Sequence, residues 1–112
     1  MVKEKDIPKK VKIGYIFYKI KAATEDYVET AKIAAELSVD KEQILFDKKL
    51  SINRLVNALI HEVVHGIIDN WGIQFPNNEA EEIFTEAFAN GWTTVFLDNQ
   101  EFITWLNDEL ER

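Results

Sequence analysis

Residues 51–72 read SINRLVNALIHEVVHGIIDNWG. Ile52, Leu55, Val56, Leu59, Ile60, Val63, Val64, Ile67, Ile68 and Trp71 recur at three- and four-residue steps. Sustained over about five turns, that period predicts one long amphipathic helix. Ser51 is a candidate N-cap, Gly72 suits the position just past the C-terminus, and Pro76 stops an immediate restart. The apolar stripe needs a second layer to cover it, and the flanking sequence shows what supplies that layer.

Downstream, Asn78 with Glu81 predicts a capping-box-like start for a second helix. Ala80, Ile83, Phe84, Ala87, Phe88, Gly91, Trp92, Val95 and Phe96 keep the same period, and Phe84, Phe88, Trp92 and Phe96 are expected in the core. Phe102, Trp105, Leu106 and Leu110 predict a short third helix. Upstream, Val11, Ile13, Tyr15 and Phe17 alternate with Lys12, Gly14, Ile16 and Tyr18, which predicts a strand. Residues 24–33 are expected to be helical or irregular behind a Thr24 cap, with strands at about 34–39 and 43–48. The expected fold class is α+β: a small antiparallel sheet of about three strands on two long antiparallel helices, plus a short C-terminal helix. Residues 1–10 read as a lysine-rich tail and 11–112 as a single domain.

Composition narrows the function classes. With no cysteine, the chain has no disulfide framework, no thiolate metal site and no cysteine nucleophile. The net charge of −7 is unevenly spread. Residues 1–56 hold 12 Lys+Arg and 9 Asp+Glu, a net of +3; residues 57–112 hold 1 and 11, a net of −10. That disfavours nucleic acid near the acidic half. There is no secretory signal and no apolar run of membrane-spanning length, so no membrane partner and a cytoplasmic location are expected.

Inside the long helix stands His61-Glu62-Val63-Val64-His65. Histidines four apart share one helix face, so two imidazoles can converge on one ion, with zinc the expected cofactor. Glu62 points to an adjacent face and can serve as general base, taking a proton from a water that the metal acidifies. From average composition, HExxH arises by chance in roughly a few per thousand chains of this length. A third protein ligand is needed if the fourth position is to hold water. With no further His or Cys, it must be an acid, and the second helix offers Glu79, Glu82 and Glu86, with Asn90 on the same face. Antiparallel pairing across the short loop 72–77 favours Glu86, two turns in; Glu79 and Glu82 are the alternatives.

HEVVH followed by Glu86, with Asn90 one turn later, resembles the gluzincin type of zinc metallopeptidase. Residues 34–102 are similar to small phage and mobile-element proteins related to the ImmA/IrrE metallopeptidases. The resemblance implies His61, His65 and Glu86 as zinc ligands and Glu62 as the catalytic base. It implies a hydrolase in which Glu62-activated, metal-bound water attacks a peptide bond of a peptide or protein substrate. Asn90 stands where many gluzincins have Asp, so support for a ligand histidine is expected to be made differently. The third histidine of the metzincin and SprT-like patterns is absent.

Tyr15, Tyr18 and Tyr27 are the candidate donors to a developing oxyanion, set against a plain packing role on the sheet. The lysines at 3, 5, 9, 10 and 12 are expected to solubilise the tail; a weak contact with nucleic acid or an acidic partner is the alternative, with no stacking aromatic interleaved among them. The alternative function is a metal-binding but catalytically inactive interaction protein. A further reading, an acidic decoy that mimics DNA, rests on the −10 half alone.

Overall fold

The computed structural model describes residues 6–111. The elements are β1 (Lys10–Ile13), β2 (Ile16–Ala22), α1 (Glu25–Ala31), β3 (Ala35–Ser38), β4 (Gln43–Phe46), α2 (Ile52–Asn70), α3 (Asn78–Asp98) and α4 (Gln100–Glu109). The class is α+β, as the patterning predicts. The sheet is larger and differently wired than expected. It has four strands in the order β1-β2-β4-β3, and β2 runs parallel to β4 while the other two pairs are antiparallel. One strand was expected over 11–18, yet the chain reverses inside it. Gly14 sits at φ 62°, and Ile13 pairs with Ile16 across a two-residue turn. A positive φ at the first turn position is the glycine-requiring geometry that suits tight hairpins. Of the expected tail, residues 1–5 lie outside the described residues, and Lys10 already belongs to β1.

Alternation sorts the sheet into two faces. Ile13, Tyr18 and Ile44 turn inward and pack against Leu59 and Val63 of α2. Phe46, Leu50 and Leu55 form an adjoining cluster with Ile20 and Ala58. Each large apolar side chain buried here contributes roughly 1.5–3 kcal/mol relative to exposure. The helix lies close because Gly66 faces β1; a methyl there would sit 2.6 Å from Ile13 Cδ1. The end of α2 also closes on the β1–β2 turn, where a methyl on Gly14 would run into the Asn70 side chain. Gly14→Ala combines that clash with a left-handed backbone, so it should lower stability by about 1–3 kcal/mol. A thermal melt checks this as a drop in Tm of several degrees; an unchanged Tm would contradict the packing.

Two helix starts differ from expectation. Ser51 occupies the N-cap of α2 but makes no side-chain cap bond. In α3 the cap is Asn77, one residue before Asn78, and its side chain accepts from the Ala80 N–H at 2.8 Å. Glu81 is thereby released from capping. Thr24 caps α1 as predicted, accepting from the Tyr27 N–H, and Gly72, at φ 63°, follows the end of α2.

The largest correction concerns α3. It packs against α2 and α4, while α2 alone covers the inner face of the sheet. Phe84, Phe88, Trp92 and Phe96 are therefore not core: they are 36–47% exposed. Only Thr85 and Ala89 of α3 are buried, small residues that let the two helices approach. No helix among the described residues is long and apolar enough to cross a membrane.

Candidate metal centre

The seam between α2 and α3 opens on one side into a cleft of about 990 Å³, walled by β3. Its register is tied by Asn57 of α2, whose amide donates to Asn90 Oδ1 at 3.0 Å and Thr93 Oγ1 at 3.2 Å on α3. In an antiparallel pair, that sets Glu86 near the level of His61 and Glu82 near the level of His65. Both histidines, Glu62 and three acids of α3 line the cleft.

Three donors meet at one point. His61 Nε2 and His65 Nε2 lie 3.2 Å apart. Glu82 straddles them, with Oε1 2.6 Å from His61 Nε2 and Oε2 3.1 Å from His65 Nε2. The group His61, His65 and Glu82 could hold a metal ion. A tetrahedral ion with bonds of about 2.0–2.1 Å holds its ligand atoms roughly 3.3 Å apart; the 3.2 and 3.1 Å edges lie close to that, and the 2.6 Å edge is shorter. The chemistry of the donors points the same way. His65 Nδ1 is 2.8 Å from Glu81 Oε2, an acceptor, so a neutral His65 ring carries its proton there. Its Nε2 then offers a lone pair towards a carboxylate oxygen and a second imidazole nitrogen, an arrangement that a cation relieves.

Glu86, the expected third ligand, lines the cleft but is not in this group; Glu82 occupies that place. Glu79 does not line the cleft. Asn90 supports no histidine and instead bonds Asn57. The histidine partner is Glu81, which the sequence reading assigned to capping; the Asn77 cap, one residue earlier, was the signal that it was free. A carboxylate behind a ligand histidine fixes its tautomer and raises its basicity. Glu81→Gln should weaken zinc binding about 10–100-fold, read by competition with a chelating dye. Wild-type affinity in that variant would show that the contact supports nothing.

Glu62 is 12% exposed at its side chain and is held from two sides. Its Oε1 accepts from the Leu37 N–H of β3 at 2.9 Å, and its Oε2 is 4.0 Å from His61 Nε2. Burial pushes its carboxyl pKa up from the ordinary value; the Leu37 N–H and the two histidines pull it back, and the charge of Glu82 adds to the rise. Since β3 is an edge strand, Leu37 carries a backbone donor that no strand takes, and Glu62 satisfies it.

None of the three tyrosines lines the cleft. Tyr15 is 96% exposed at the hairpin turn. Tyr18 is wholly buried, its hydroxyl has no hydrogen-bond partner among the described residues, and burial raises its pKa. Tyr27 donates to Glu36 Oε1 at 2.6 Å. The N–H donors that do line the cleft are Asn53, Arg54, Asn57 and Asn90, together with Lys32.

Comparisons with models of protein families, with curated proteins and with solved structures return no match. The functional reading therefore rests on the residues and geometry above.

Proposed function

We propose that the chain is a zinc-dependent, metallopeptidase-like hydrolase acting on a peptide or protein. The observation that carries this reading is the meeting of His61, His65 and Glu82 in an open cleft, with the buried carboxylate of Glu62 beside them. When bound, a zinc ion supplies Lewis-acid polarisation of a carbonyl and acidifies water. His61, His65 and Glu82 would hold it, and Glu81 would orient His65. Glu62 is the proton acceptor: burial raises its carboxyl pKa, which makes it a stronger base than an exposed carboxylate. The edge of β3 offers an extended peptide a place to lie. Such a peptide competes with Glu62 for the Leu37 N–H, and its arrival frees the carboxylate for proton transfer. Arg54 is a side chain whose N–H groups can meet a substrate carbonyl from the α2 wall.

A second reading, a metal-binding interaction protein without turnover, is favoured by two observations: Glu62 is already engaged by Leu37, and no tyrosine lines the cleft. The two part on peptide cleavage by the zinc-loaded chain. Mass spectrometry of a diverse peptide mixture should show cleavage that stops in Glu62→Gln. A zinc-loaded wild-type chain that cleaves nothing supports the second reading.

A further inference from the structure

The five lysines nearest the start of the described chain do not form a featureless tail. Strand alternation puts Val11 opposite Tyr18 and Ile13 opposite Ile16 on the inner face, which α2 covers. The outer face then carries Lys10 opposite Lys19 and Lys12 opposite Phe17, with Lys21 two residues further along β2. Lys10 and Lys12 place their ammonium groups 4.7 and 5.5 Å from the centroid of the Phe17 ring, which is 51% exposed. Tyr15 stands at the tip of the same hairpin. Lys9 joins Lys10, Lys19 and Lys21 around an open groove at the side of the hairpin. Among the described residues the only lysine paired with a carboxylate is Lys49, so these five lysines have no carboxylate partner there. Of the tail lysines expected to lack an aromatic, Lys10 and Lys12 flank Phe17 once the hairpin forms, and Lys3 and Lys5 lie outside the described residues.

We infer that this outer face of the β1–β2 hairpin binds single-stranded nucleic acid, with phosphates on Lys10, Lys12, Lys19 and Lys21 and a base stacked on Phe17. Lysines track a backbone as point charges, and an exposed ring accepts any base, so the binding is tolerant of sequence. An acidic polypeptide would satisfy the lysines but has no use for an exposed ring at their centre, and the ring decides between the two. Ten acidic residues lie on α2, α3 and α4, and α2 packs on the opposite face of the sheet, whereas Glu36 of β3 shares the lysines' face two strands from Lys21. The inference does not depend on the metal centre.

The test is fluorescence anisotropy of a labelled oligothymidylate of about 12 nucleotides with the full chain, over about 25–200 mM salt. Four phosphate contacts predict a slope of log K against log salt of roughly −3. Lys10→Gln with Lys19→Gln should flatten that slope by about 1.4. Phe17→Leu should weaken binding roughly tenfold at unchanged slope, and Phe17→Trp should restore it, which separates stacking from loss of structure. Absence of binding at 25 mM salt overturns the inference. So does polyglutamate of equal charge binding as tightly with Phe17→Leu silent, which would make the face a site for acidic protein.

Discussion

Alanine in place of His61 or His65 is expected to abolish zinc binding, and with it the stability that zinc confers. Each histidine supplies one of the three protein donors that meet there among the described residues. Losing one leaves a two-point site, so the loss of affinity should exceed the roughly 10–100-fold that follows loss of a supporting carboxylate. The effect is visible without any substrate. A ligand that binds only the folded state at 100 times its Kd adds about 2.7 kcal/mol. For a domain of this size that raises Tm by several degrees. Zinc should therefore raise the wild-type Tm and a chelator should reverse it. In His61→Ala and His65→Ala neither should act. Without the ion, Glu62, Glu81 and Glu82 crowd the cleft with like charge, and a dication offsets two of those charges.

The second large effect belongs to Glu62→Gln. Glutamine has nearly the shape of glutamate, and its carbonyl oxygen can still accept from the Leu37 N–H. The variant should fold and hold zinc as the wild type does. It loses the ability to take a proton, which costs general-base catalysis typically 10²–10⁴-fold. Its stability should not fall, because a buried carboxylate is exchanged for a neutral amide. The informative result is the combination of retained zinc and lost cleavage, measured on the same preparation by metal analysis and peptide mass spectrometry. Cleavage at the wild-type rate in Glu62→Gln removes this carboxylate from the reaction.

How much of this was legible beforehand follows from what each signal measures. The period of α2 and its HEVVH are local, and both survive folding unchanged. So does the α+β class. The hairpin turn at Gly14 was hidden because Ile13 and Ile16, on either side of it, continue an apolar run that reads as one strand. The parallel pairing of β2 with β4 is set by the crossover through α1 and β3, a long-range choice that period does not encode. Phe84, Phe88, Trp92 and Phe96 showed a core-like spacing, yet one layer of α2 already fills the inner sheet face, which leaves them on the surface. At the site, spacing put several acids on one face of α3, but the choice among them turned on register. Asn57 against Asn90 and Thr93 brings Glu82 to both Nε2 atoms and leaves Glu86 at the side of the cleft. The lysine-bearing face needed the strand register before its aromatic partner could be seen.

The central claim is that His61, His65 and Glu82 hold a dication. Isothermal titration of zinc into the metal-free chain, alongside Glu82→Ala and Glu86→Ala, tests it most directly. About one zinc per wild-type chain is expected, with binding strongly weakened in Glu82→Ala and close to wild type in Glu86→Ala. A wild-type chain that takes up no zinc, or a Glu82→Ala chain that binds it as tightly as wild type does, would contradict the account.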